Sequence, residues 1–140
     1  QKRELENAIK KNWGARIELG EIVVGGKNKL WLVTSDVRKV DTQKIRVETL
    51  GVYFGKYDKR GDLRLSIEGS QIIGPLATRN VVEISDKELE EWIRGINLDK
   101  KVGIKGYVIL KHGKDFVGCG KAYSKGILNH VPKQRRIKNL

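Results

Sequence analysis

Three short apolar stretches in the last third of the chain, residues 106–110, 116–122 and 127–128, constrain its fold most. Turns separate them, one of them at Ser124-Lys125-Gly126. Short strands at this spacing predict a small β-barrel. The middle stretch carries Gly118-Cys119-Gly120, and glycines in a strand let another backbone come close. Beyond Leu128 the chain leaves the core at His130-Val131-Pro132 and continues through Lys133, Arg135, Arg136 and Lys138. No acidic residue occurs from Gly118 to Leu140. A glycine-lined strand beside an uncompensated cationic edge suits a polyanion.

The 140 residues leave room for one domain, or for two small ones sharing an interface. A hydrophobic fraction of 39% supports a packed core. The net charge of +12 points to nucleic acid first and an anionic membrane surface second. No apolar run approaches the roughly 20 residues that span a bilayer. The stretch 2–11 is charged and lacks the apolar centre of a signal peptide. A single cysteine, Cys119, forms no internal disulfide, which fits a reducing, cytoplasmic location. His112 and His130 have no cysteine or carboxylate cluster at ligand spacing, so no metal is expected, and no cofactor is expected either.

In chain order, Leu5, Ala8 and Ile9 make an apolar stripe that predicts a helix over 2–12, with Gly14 beyond its end. Alternation predicts a strand, or two meeting at a bulge, over 16–24. Gly25-Gly26-Lys27-Asn28 reads as a hairpin turn leading to a strand at 30–33, and residues 36–40 as a single helical turn. The longest strand pattern covers 44–57; Gly51 and Gly55 within it suggest a bend or a close crossing. A turn at 59–62, a short strand at 63–65 and a helix at 66–73 ended by Gly74-Pro75 follow. Residues 81–84 read as a strand. Ser85 and Glu88 form a capping box for a helix running to Arg94, with Leu89, Trp92, Ile93 and Ile96 on one apolar face and Gly95 as its stop. The opposite face carries Asp86, Glu90 and Glu91, which would repel phosphate and is expected to face away from it. Trp13, Trp31 and Trp92 are expected in the core.

Seven motifs occur in order: Leu50-Gly51-Val52-Tyr53-Phe54-Gly55, Gly61-Asp62-Leu63-Arg64-Leu65-Ser66, Val82-Glu83-Ile84, Glu91-Trp92-Ile93-Arg94-Gly95, Gly106-Tyr107-Val108, Gly118-Cys119-Gly120-Lys121 and Leu128-Asn129-His130-Val131-Pro132-Lys133. Together they resemble the PUA-like RNA-binding domain of RsmF-type rRNA cytosine-5 methyltransferases, the Nol/Nop/Sun (Fmu) group. The likeness runs from about residue 47 to 137 and is looser over 2–46. It implies an α+β fold: a small α/β module over 1–62, then a PUA-like mixed β pseudo-barrel with short helices over 63–140. It also implies recognition of structured RNA, rRNA or tRNA, in RNA modification or ribosome biogenesis. The chain departs from those enzymes in two motifs. It has no glycine-rich strand-to-helix loop with a following acidic residue for S-adenosylmethionine, and no Pro-Cys nucleophile motif. The resemblance therefore carries RNA binding without methylation, and the chain is expected not to be an enzyme.

Candidate RNA-binding residues are Arg64, Ser66, Gln71 and Arg79 around the helix at 66–73, a region that lines the RNA groove in PUA-type domains. Lys121, Lys125, Asn129, Lys133, Arg135 and Arg136 join them from the last strands and the segment after them. Lys56, Lys59 and Arg60 are read as an extension of the cationic face, and Tyr53, Tyr57 and Tyr123 as possible base platforms. A competing reading is an adaptor that delivers a separate RNA methyltransferase through the acidic helix face. A small hydrolase or transferase fits least, because no nucleophile–base pair is visible.

Overall fold

A computed structural model describes residues 2–39 and 45–136. The chain opens with α1 (Lys2–Trp13), which buries Leu5, Ile9 and Trp13 at helical spacing and leaves its lysines outside. Strands β1 (Glu21–Val24), β2 (Lys29–Lys39), β3 (Ile45–Tyr57) and β4 (Leu63–Leu65) then form an antiparallel sheet in sequence order. The 3-10 turn Gly26–Asn28 links β1 to β2, with Lys27 and Asn28 at φ of 59° and 61°. Helix α2 (Ile67–Ile73) runs into a 3-10 turn at Gly74–Leu76. The second sheet contains β5 (Val81–Glu83), β6 (Gly106–His112), β7 (Asp115–Tyr123) and β8 (Gly126–Leu128), also in sequence order. Helix α3 (Asp86–Ile93) lies between β5 and β6, which pair in parallel, as a crossover requires.

The fold is α+β, as expected, but its strands do not close into a barrel. Among the described residues the strands pair within two separate four-stranded sheets, and the chain from β4 to β5, which joins them, passes through helix. Two local expectations also change. Residues 36–39 extend β2 instead of forming a helical turn, because they pair with β3 from Asp36↔Glu48 to Lys39↔Ile45; Val40 lies outside the described residues. The strand expected over 16–24 is confined to Glu21–Val24, the part that finds a partner in β2.

Strand β6 explains how the halves are joined. Tyr107 and Ile109 face one core, shared with Leu5, Ile9 and Trp13 of α1, Leu30, Phe54, Leu63 and Leu65 of the first sheet, and Cys119. Val108 and Leu110 face a second core with Trp92, Ala122, Ile127 and Val131. A strand buried on both faces reads as a continuous apolar run, which is why residues 107–110 show no polar alternation. Helix α2 comes so close to β3 that a Cβ at Gly69 would collide with the Phe54 carbonyl oxygen.

Candidate nucleic-acid interface

Strand alternation divides β2. Leu30 is buried in the first core, so Lys29 and Trp31 point the other way. On β3 the pairing slips, since Leu30 faces Gly55 and Trp31 faces Tyr53. Phe54 is the unmatched residue between them, and it is fully buried. This bulge changes the parity of β3, so that Tyr53 and Lys56, three residues apart, line one groove. On β4, Leu63 and Leu65 enter the core and Arg64 stands outside. Lys29 pairs with Lys56, and Lys56 pairs with Arg64. Three cations therefore form one row across three adjacent strands.

The groove measures about 460 Å³. One rim is the cation row, and beside it lie Trp31 and Tyr53, ring centroids 5.5 Å apart and planes tilted by 45°. The Lys29 ammonium sits 5.6 Å from the Tyr53 ring centre. Gly118 and Cys119 of β7 and the segment His130-Val131-Pro132 complete the lining, with Arg135. A second hollow of about 320 Å³ shares Lys56 and Arg64 and adds Lys27 and Lys59.

Arg64 Nη1 lies 3.1 Å from His130 Nδ1. Arginine only donates, so Nδ1 accepts and the ring proton is assigned to Nε2. Burial, then the nearby Arg64 and Lys121 charges, push the His130 pKa down to about 4. His130 is thus neutral at pH 7 and orients Arg64 without cancelling its charge. Asp58 is the carboxylate of the second hollow. Burial pushes its pKa up, but the Asp62 and Arg60 N–H groups, the Tyr107 hydroxyl at 2.9 Å and Lys121 outweigh it, and the net shift is downward. Cys119 is buried, and that burial lifts its thiol to about 12, so at neutral pH it is no thiolate.

The sequence-derived candidates separate into groups. Arg64, Ser66 and Arg135 line the groove. Ser66 Oγ is already engaged, accepting from Gly69 N to cap α2 and sharing its one proton between the Tyr53 and Phe54 carbonyls. Arg135 pairs with Glu68 at 2.9 Å, and Lys121 lies 3.8 Å from Asp58. Gln71 lines a neighbouring hollow with Ile67 and Arg135. Lys125 is exposed at the β7–β8 turn, and Lys133 is exposed after Pro132. Three others hold backbone carbonyls: Arg79 those of Lys10 and Lys11, Asn129 those of Trp92 and Ile96, and Arg136 that of Val131. Lys138 lies outside the described residues.

Lys29 was not among the candidates, and Trp31, expected in the core, is 36% exposed while Trp13 and Trp92 are fully buried. Period-two parity in Lys29-Leu30-Trp31-Leu32 was the available signal, since two inward leucines send the other two residues out. Among the described residues no group of three or more His, Cys, Asp or Glu side chains is placed to hold a metal, and no helix is long and apolar enough to cross a membrane.

Residues 79–137 match the family model described as the methyltransferase RsmF PUA domain. No curated protein matches the chain. The matched stretch supplies one wall of the groove, with Gly118, Cys119, His130 and Arg135, whereas the cation row and the two rings come from residues before it.

Proposed function

We propose that this chain, whose residues 79–137 match the PUA domain of RsmF-type methyltransferases, uses the groove between its sheets to bind structured RNA, rRNA or tRNA, in the course of RNA modification or ribosome biogenesis. The observation that carries the reading is the row Lys29–Lys56–Arg64. Like charges directly opposite one another on neighbouring strands repel, and a row of three is stabilised by an anion lying across it. A phosphodiester backbone supplies such an anion repeatedly. The neutral His130 behind Arg64 supports the same reading, because a carboxylate there would have spent the charge internally.

In this reading the chain binds and does not catalyse. Cys119, its one cysteine, is a buried thiol rather than a nucleophile. The methyl transfer belongs to a separate methyltransferase acting on the RNA held here, in the cytoplasm. Glu90, exposed on the side of α3 opposite the buried Trp92, gives that enzyme a surface away from the groove.

Binding of rRNA fragments measured over a series of salt concentrations tests the central claim. Each neutralised phosphate contributes about 0.7–0.9 to the slope of log affinity against log salt, so the row alone predicts a slope near −2 to −3. An affinity indifferent to salt, or no binding at low salt, overturns the reading.

A further inference from the structure

The cation row accounts for phosphate but not for the aromatic pair beside it. Trp31 is an indole 36% exposed on the face of β2 opposite the buried Leu30. It is held in place: its cross-strand partner is Tyr53, and a Cβ at Gly25 would lie 3.0 Å from the indole nitrogen, so glycine leaves the ring room to settle there. Lys29 and Lys56 stand along the same rim. Across the groove, Val131, Pro132 and the neutral His130 present an uncharged wall. Glu68, the groove's carboxylate, is paired with Arg135.

We propose that the groove takes one unpaired nucleobase, stacked against Trp31 and Tyr53, with its flanking phosphates on Lys29, Lys56 and Arg64. The inference rests on the RNA-binding reading and adds the kind of RNA recognised: a folded RNA with a base out of its helix. Its reason is the division of the groove. The cation row follows one rim, the Arg135 and Glu68 charges elsewhere in the lining are paired with each other, and beside them the groove offers rings and apolar surface, the division that an uncharged base on a charged backbone requires. A base within a duplex has both faces covered by its neighbours and offers Trp31 nothing to stack on; a bulged or splayed base does. The volume of about 460 Å³ lies within the range of small-ligand sites. Four of the five residues assigned to the base and its phosphates, Lys29, Trp31, Tyr53 and Lys56, precede Arg64, and all five lie outside the matched segment 79–137.

The test uses the full chain and two probes: a fully paired RNA hairpin and the same hairpin with a single unpaired adenosine. The wild-type protein is expected to bind the bulged hairpin about ten-fold tighter, and this hairpin is expected to quench Trp31 fluorescence while the buried Trp13 and Trp92 keep theirs. Trp31→Ala and Tyr53→Ala, each checked for retained fold by circular dichroism, are expected to abolish the difference between the hairpins. Equal wild-type affinity for both hairpins overturns the base site and leaves RNA binding standing. A preference that survives in both variants also overturns the base site. Failure to bind either hairpin at low salt overturns the RNA-binding reading itself.

Discussion

Arg64 on β4 and His130 beyond β8, 66 residues apart in sequence, meet through Nη1 and Nδ1 at 3.1 Å. The contact joins the first sheet to the segment that leaves the second. It also fixes the electrostatics of the groove, because the partner that positions the guanidinium is neutral. Arg64 therefore keeps a full charge and a fixed direction, and it completes the row begun by Lys29 and Lys56.

Replacing Lys29, Lys56 or Arg64 singly by Gln is expected to weaken RNA binding whatever the RNA sequence. Each change should reduce the salt slope by about 1, the signature of a phosphate contact. Titrations at several salt concentrations read this directly. A loss of affinity with an unchanged slope contradicts the assignment.

His130 makes stability depend on pH. Folding depresses its pKa from 6.5 to about 4, so within that window the unfolded chain takes up a proton that the folded chain refuses. Stability is full above pH 6.5 and falls as the pH drops towards 4. Urea unfolding at pH 7 and pH 5 is expected to give a lower midpoint at pH 5. In His130→Gln, which cannot titrate, the difference should shrink.

Ser66→Ala removes the cap of α2 and the donor to two β3 carbonyls at once. A cap is worth about 1 kcal/mol and a lost hydrogen bond about as much again, so a destabilisation of about 1–3 kcal/mol is expected in chemical denaturation. The RNA salt slope should not change, because Ser66 contributes no charge.

Arg79→Ala separates a structural cation from a binding one. The Arg79 guanidinium donates to the Lys10 and Lys11 carbonyls at the end of α1, where a positive charge also complements the helix dipole. Loss of about 1 kcal/mol of stability is expected, with unchanged RNA affinity, since Arg79 does not line the groove. Weakened RNA binding at full stability would return Arg79 to the interface.

Signals carried by neighbours in sequence were legible without coordinates. The Ser85–Glu88 capping box forms as its spacing requires, with both reciprocal bonds present. The stripe of Leu5 and Ile9 buries as read, and Gly25-Gly26-Lys27-Asn28 turns the chain between β1 and β2. The apolar run at 106–110 was legible as a strand, though not that each of its faces meets a different core. Each of these rests on local geometry, a helical or strand period or a cap three residues long, and a local rule needs no knowledge of the rest of the chain.

The groove depended on the tertiary structure. Lys29, Lys56 and Arg64 are aligned by strand register, and that register includes an unmatched Phe54 drawn into the core, a choice no single strand makes alone. The cations at Arg79 and Arg136 looked equivalent to Arg64 in the sequence, yet they turn to backbone carbonyls while Arg64 faces the groove. A positive side chain has the same affinity for a carbonyl oxygen as its surroundings allow, wherever it stands in the chain. Composition determined that this protein carries a large excess of positive charge; only the packing of distant segments decided which of those charges remain free to meet an anion.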